Sequence, residues 1–188
     1  MARKRIAPGP FVVPMPTCLI GADVDGKPNF MTAAFVGVVN FKPTVVACGL
    51  NPEHHTCRGI EAAGAFSLNV PPSDLVAAAD YCGIRSGAKI DKSRALEVFR
   101  GELPGVPLAA GCRLSCECKL LQRVPLDVDT VYLAEVLHVY VDEEALSDDQ
   151  IDWRKVDPLI FTFPDKGYWK LGAFVARAWE IGRQHRPQ

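Results

Sequence analysis

Neither sign of charge predominates in this sequence. Its 21 Lys and Arg face 22 Asp and Glu, a formal net charge of −1, so no basic surface is on offer for a nucleic-acid backbone. The one basic cluster, Arg3, Lys4 and Arg5, is short and reads as a solvated end. No uncharged apolar run reaches ~18 residues, which argues against a membrane-spanning helix. Pro8, Pro10, Pro14 and Pro16 break the stretch behind the positive front, so no secretory segment is expected and a cytoplasmic location is. GxxxxGK[ST] and GxGxxG are both missing, which removes the triphosphate loop and the dinucleotide fingerprint.

The seven cysteines are an odd number scattered through apolar segments, unlike a secreted disulfide framework. Cys112, Cys116 and Cys118 are spaced x3 and x1, whereas zinc sites use pairs of x2–4 knuckles. On a strand, Cys116 and Cys118 share a face with Leu114 and Leu120 and read as core, so no metal is expected. Cys57 close to His55 is the one tempting thiol–imidazole pair, but nearness in sequence is not the geometry of a nucleophile and its base.

What is present is a globular composition, 48% hydrophobic and 23% charged over 188 residues, with no repeat and no linker. One domain over 1–188 is expected, with a leader at 1–15 and a C-terminal helix or tail at 173–188. Thr17–Asp23 and Pro28–Phe35 read as strands joined by Asp25-Gly26, a type I′ hairpin signal. Val36–Phe41 continues or bends near Gly37, and Thr44–Leu50 is a buried strand. Thr56 is a candidate N-cap for a helix through Ala63 that Gly64 ends. Phe66–Val70 is another strand, and Ser73 caps a helix stopping at Gly83. Residues 84–110 read as irregular, with one helical turn around Arg94–Phe99. Cys112–Val124 alternates, with Arg113, Ser115, Glu117 and Lys119 on its polar face. Thr130–Asp142 is apolar on both faces and suits a central strand, with His138 as a core histidine. A last strand runs from Asp157-Pro158 to Phe163, and Tyr168–Gln184 reads as a loop and a helix. Strands without βαβ alternation predict a mostly β protein, a closed or partly closed antiparallel barrel with peripheral α-helices.

Three segments carry possible chemistry, each with a plainer reading beside it. Asn51–Thr56 combines exposed N–H groups at a helix start with a hydroxyl and an imidazole, an anion site; alternatively Thr56 only caps and the histidines face water. Tyr81–Lys92 offers Arg85, Ser86, Lys89 and Lys92 between glycines that permit close approach; it also reads as a solvated basic loop. Met31–Gly37 sets small residues around Phe35, a lining for a flat ligand or an ordinary barrel strand.

Taken in order, DGKPNFMTAAFVG, LNPEHHT, AFSLNVP and YCGIRSGAKIDK resemble the flavin reductase-like, FMN-binding split-barrel family, over about Pro16–Lys92. The resemblance implies a Greek-key-like split β-barrel, a homodimer with one FMN per subunit near the interface, and NAD(P)H as reductant. Hydride would pass from nicotinamide to flavin N5 and electrons onward to a small-molecule acceptor such as free flavin, without a catalytic side chain. An FMN-carrying electron-transfer protein without nicotinamide turnover is the alternative. By the same resemblance Thr32, Ala33, Phe35 and Gly37 contact the isoalloxazine, and Gly49 and Leu50 lead the ribityl chain on. His55 and Thr56 hold the phosphate, Asn69, Ser86 and Lys92 complete or support the polar end, and Phe161 or Phe163 approaches the ring. The family often carries Trp where Phe35 stands and Arg where Asn51 stands. With Asn51 the phosphate leans on Lys92, Arg85 and the helix start.

Overall fold

A computed structural model of the chain describes residues 1–185. Period-two alternation builds its main sheet. On β1 (Cys18–Val24), Cys18, Ile20 and Ala22 face the barrel interior while Leu19 faces a second core outside it. Asp25 (φ 52°) and Gly26 (φ 76°) then turn the chain into β2 (Lys27–Ala33) with both central residues left-handed, as a type I′ turn requires. Next come β3 (Val36–Asn40), β4 (Val45–Leu50), β5 (Ala65–Val70), β6 (Leu114–Pro125) and β7 (Thr130–Val141). Their order across the seven-stranded sheet is β2-β1-β5-β6-β7-β4-β3, antiparallel throughout.

The two edge strands, β2 and β3, are separated in sequence only by Ala34 and Phe35. Seven strands laid flat would hold their edges roughly 29 Å apart, and three Cα–Cα steps span at most about 11 Å. The sheet must therefore curl until its edges meet at this link. A split barrel results.

Helix α1 (His55–Ala63) plugs the interior with Cys57 and Ile60. It crosses β1 so closely that a Cβ on Gly59 would stand 2.3 Å from the Asp23 carbonyl. Gly64 ends it at φ 62°, its N–H bonded to the Ile60 carbonyl, as expected. Helix α2 (Val76–Ile84) lies outside β2 and sends Ala79 and Cys82 into the second core.

Several sequence expectations need correction. Helix α1 starts at His55 on an extended His54, and Thr56 is not its cap but a buried residue whose hydroxyl accepts from Asn29 Nδ2 at 2.7 Å. The Ser73 hydroxyl bonds the Asp157 carboxylate instead of capping, and the helix runs through Gly83 to Ile84. In place of a helical turn at Arg94–Phe99, Val98–Arg100 forms a short hairpin with Pro107–Ala109. That hairpin covers part of β6, so Ser115 and Glu117 are buried rather than solvated. The Glu117 carboxylate accepts from the Glu102 N–H (3.1 Å), the Leu103 N–H (2.9 Å) and the Tyr140 hydroxyl (3.0 Å). The leader is anchored at its end, where Met15 pairs with Phe161. The strand expected to be last is cut to Ile160–Thr162 and pairs with a further strand, Gly167–Trp169, so Tyr168 is in a strand and not a loop. No C-terminal α-helix follows among the described residues: Leu171–Ala176 is irregular, and Ile181–Gln184 is a 3-10 turn. The end of the tail, residues 186–188, lies outside the described residues.

Cys18, Cys48, Cys57 and Cys118 are core residues, with Cys116 and Leu120 packed against them, as the alternation predicts. Among the described residues no three His, Cys, Asp or Glu side chains are grouped to hold a metal. No helix there is long and apolar enough to cross a membrane.

Candidate functional site

One groove gathers most of the segments singled out above. Its centre is a cavity of about 220 Å³ bounded by Met31 and Thr32 of β2, Glu53–Thr56 at the start of α1, Cys82–Gly87, and Lys92. It opens past His55, Gly87 and Lys92 into a second cavity of about 330 Å³. At its other end, past Thr32, Gly83 and Ile84, lies a third of about 230 Å³. A larger apolar cavity, about 760 Å³, sits between Gln150–Arg154 and the segment Leu171–Phe174. It touches none of the predicted site residues.

At the polar end, no side chain caps the first turn of α1. The Cys57 N–H bonds the His54 carbonyl at 2.9 Å, which leaves the His55 and Thr56 N–H groups for an anion. His55 is half-buried there, and burial, followed by the Arg58 guanidinium, pushes its pKa below the usual imidazole value. At neutral pH it is a neutral hydrogen-bonding ring. Thr56 is held by Asn29, a residue the sequence reading missed; its only signal was its place on the first hairpin. Arg85 and Ser86 are exposed, and the Ser86 hydroxyl accepts from the Ala88 N–H at 3.3 Å. The loop passes β2 so tightly that a Cβ on Gly87 would stand 2.2 Å from Asn29 Oδ1 and 2.8 Å from His55 Cδ2.

Lys92 lines the cavity, yet its ammonium points inward. It is 4% exposed and donates to the carbonyls of Phe30 (2.5 Å), Cys82 (3.2 Å) and Arg85 (3.1 Å). All three donors are spent on main chain, so Lys92 laces β2, α2 and the loop together. Asn69 is similarly committed. It donates to the Leu19 carbonyl and the Ser67 hydroxyl and accepts from the Ala109 N–H at 3.0 Å, beneath the Pro107–Ala109 strand and away from the cavity.

The flat-ligand residues surround the short link that closes the sheet. The Thr32 hydroxyl bonds the Ala79 carbonyl, while Ala33 and Leu50 are buried against the core. Phe35 is half-exposed; its carbonyl accepts the Gly49 N–H at 2.8 Å, and a Cβ on Gly49 would come within 3.3 Å of the Phe35 Cβ. Gly37 is exposed with open space where a Cβ would stand. Phe161 lines the third cavity; Phe163, 6.4 Å from it ring to ring, lines none of these three. Asp80 and Tyr168, joined by a 3.0 Å hydrogen bond, also wall that cavity and were not singled out from the sequence. Cys57 donates its thiol to the Asn51 carbonyl, and burial pushes its pKa up, so it is no activated nucleophile.

Fold and groove together define a split-barrel protein with a slot that runs from small and aromatic residues to an anion-ready helix start. The model of the flavin reductase like domain matches residues 12–168, and the chain belongs to that family. It is 37% identical to flavoredoxin from Methanosarcina acetivorans, with a TM-score of 0.94 over 97% of this chain and 98% of that one. Flavoredoxin of Desulfovibrio vulgaris (Miyazaki F) is 34% identical, with a TM-score of 0.90 over 96% of this chain and all (100%) of that one. An uncharacterised protein of Archaeoglobus fulgidus shares 30% identity over 69% of this chain and 73% of its own.

Proposed function

We propose that the chain binds FMN along the groove and works as a flavin-dependent NAD(P)H oxidoreductase that delivers electrons to a small-molecule acceptor. The observation that carries this reading is the continuity of the groove: one trough joins Thr32 to His55, Thr56, Ser86 and the uncapped start of α1. The donor set fits a phosphate ester at one end, with helix N–H groups, the Ser86 hydroxyl and the Arg85 guanidinium. Thr56, Gly87 and Lys92 shape that end, the first two by close packing on Asn29 and the last by its three carbonyl bonds. Asn69 supports the sheet behind. At the other end Ala33, Phe35, Gly37, Gly49 and Leu50 frame the barrel's split for a flat ring, with Phe161 or Phe163 alongside. Bound there, FMN would supply the redox chemistry. The chain supplies position and an electrostatic setting.

Val38, Val39 and Phe41 on and after β3, with Leu137 and Val139 on β7, are large apolar side chains left exposed. Exposed apolar side chains of this size favour pairing of two copies, and we propose a homodimer, which light scattering will check.

A second reading, an FMN-carrying electron-transfer protein without nicotinamide turnover, is favoured by the near-complete coverage of two flavoredoxins. Titration with FMN tests both readings, which require saturable quenching of flavin fluorescence; protein that ignores FMN sinks both. Anaerobic mixing of the loaded protein with NADH and NADPH then separates them. Bleaching of the flavin band selects the oxidoreductase, and bleaching by dithionite alone selects the electron carrier.

A further inference from the structure

Away from the groove, we infer that residues Leu171–Ala176 of one chain add as a strand to the free edge of β7 in a second copy of this chain. The inference deepens the homodimer reading above and rests on it, since a chain that stays alone has no second copy to clasp.

The edge is the first observation. β7 pairs with β6 as far as Val141 but with β4 only over Thr130–Glu135, and the Val136 N–H then bonds the Thr44 carbonyl. From Leu137 to Val141 its other side carries no strand among the described residues, and Leu137 and Val139 are exposed. The one irregularity, a register shift between Val136 and His138, lies where β4 ends. No Lys or Pro follows it to blunt the edge, and an unpaired edge is a template for another chain.

The second observation is a segment with nothing to pair with. Leu171–Ala176 follows the Gly167–Trp169 strand without joining a helix or a sheet, and its main chain makes no main-chain hydrogen bond among the described residues. None of its residues is left-handed, so nothing bars a β conformation. Phe174 is 77% and Val175 94% exposed, and the segment stands off Ile151 and Trp153 across the cavity of about 760 Å³. Strand addition would satisfy the main chains of both segments at once.

Charge supplies the match. On β7, Val136–Val141 is a run of six residues without Asp, Glu, Lys or Arg, bounded by Glu135 and Asp142. Leu171–Ala176 is also six such residues, bounded by Lys170 and Arg177. Strands of equal rise laid side by side bring acid opposite base at both ends, whichever way the second one runs. Glu135, Asp142 and Arg177 have no ion-pair partner among the described residues, and Lys170, though paired with Asp157, is largely exposed. Two copies can make the exchange reciprocally about a two-fold axis.

Amide hydrogen exchange read by mass spectrometry, beside light scattering, tests this. In the full chain, residues 137–141 and 171–176 should be protected, and less so on dilution. Truncation after Lys170 should speed exchange over 137–141 roughly tenfold or more while Ala65–Val70 is unchanged. Lys170→Glu with Arg177→Glu should do the same, and so should Glu135→Lys with Asp142→Lys, because each double variant sets like charges face to face. An equimolar mixture of the two should regain the protection, since each supplies the other's complement, which also shows that both fold. Unchanged exchange over 137–141 in the truncated chain, or a mixture no slower than its components, would overturn the inference. Either result in a protein that is still dimeric keeps the homodimer and removes the clasp; a chain monomeric at every concentration removes both.

Discussion

Inside the barrel, Ile20, Phe66, Leu68 and Tyr132 pack around buried thiols. Burial pushes the Cys48 thiol up to about 12 and Cys116 to about 11. These sulfurs stay protonated at neutral pH and serve as small apolar fillers. The layers packed outside the barrel are built differently. Leu19, Phe30, Ala79, Cys82 and Leu96 do pack there, but Lys92, Asn69 and Glu117 set the path of the chain by bonding carbonyls and N–H groups. The barrel is held by area removed from water. The outer layers rely as well on polar side chains that stand in for missing secondary structure, Lys92 at the groove and Asn69 and Glu117 under the Val98–Ala109 hairpin, and such groups are costly to leave unpaired.

That contrast can be broken on either side. The largest loss of stability is expected inside the barrel. Phe66→Ala should cost about 3–5 kcal/mol, seen as a fall in denaturation midpoint, while molecules that remain folded keep their FMN affinity. Lys92→Ala should cost about 1–3 kcal/mol by orphaning carbonyls. Because it unlaces the loop, it should weaken riboflavin and FMN alike; a loss confined to FMN would show that the ammonium turns outward to the phosphate. Arg85→Ala should leave the midpoint within about 0.5 kcal/mol and weaken FMN more than riboflavin by roughly 1.5–3 kcal/mol. Equal weakening there would remove Arg85 from the polar end.

The smallest effect concerns the junction of the two layers. Asp157 is penalised by burial, but bonds from Ser73 and the Lys170 ammonium win and hold its carboxyl below the ordinary 3.8. A lowered folded-state pKa stabilises above that ordinary value and is lost as pH falls through the folded one. Asp157→Asn keeps a residue tolerant of the observed φ of 50°. Its midpoint should lie slightly below the parent's at pH 7 and converge on it in acid below about pH 3.8.

Legibility in the sequence followed the same division. Alternation and Asp25-Gly26 suffice for the barrel strands and the first turn, because period and turn type are local properties. The groove segments 31–37, 51–56 and 81–92 could be picked out by residue type. The inward turn of Lys92, the clasp of Asn29 on Thr56 and the burial of Glu117 depend on contacts across 62, 27 and 14 residues of chain, which no local pattern encodes. The C-terminal segment misled for the converse reason: LGAFVARAWEIG has helix-favouring residues, yet they are largely exposed with little to pack against, and propensity alone seldom sustains a short helix.

The tie of Ala34 and Phe35 between the edge strands carries a mechanical consequence. Its span is governed by covalent geometry, so the gap it bridges is gauged by bond lengths that neither warming nor a loosened interior can stretch. A single residue spliced in at this point would let the seam relax while every strand kept its partner, which makes it the place to tune the fit of a guest without touching the host.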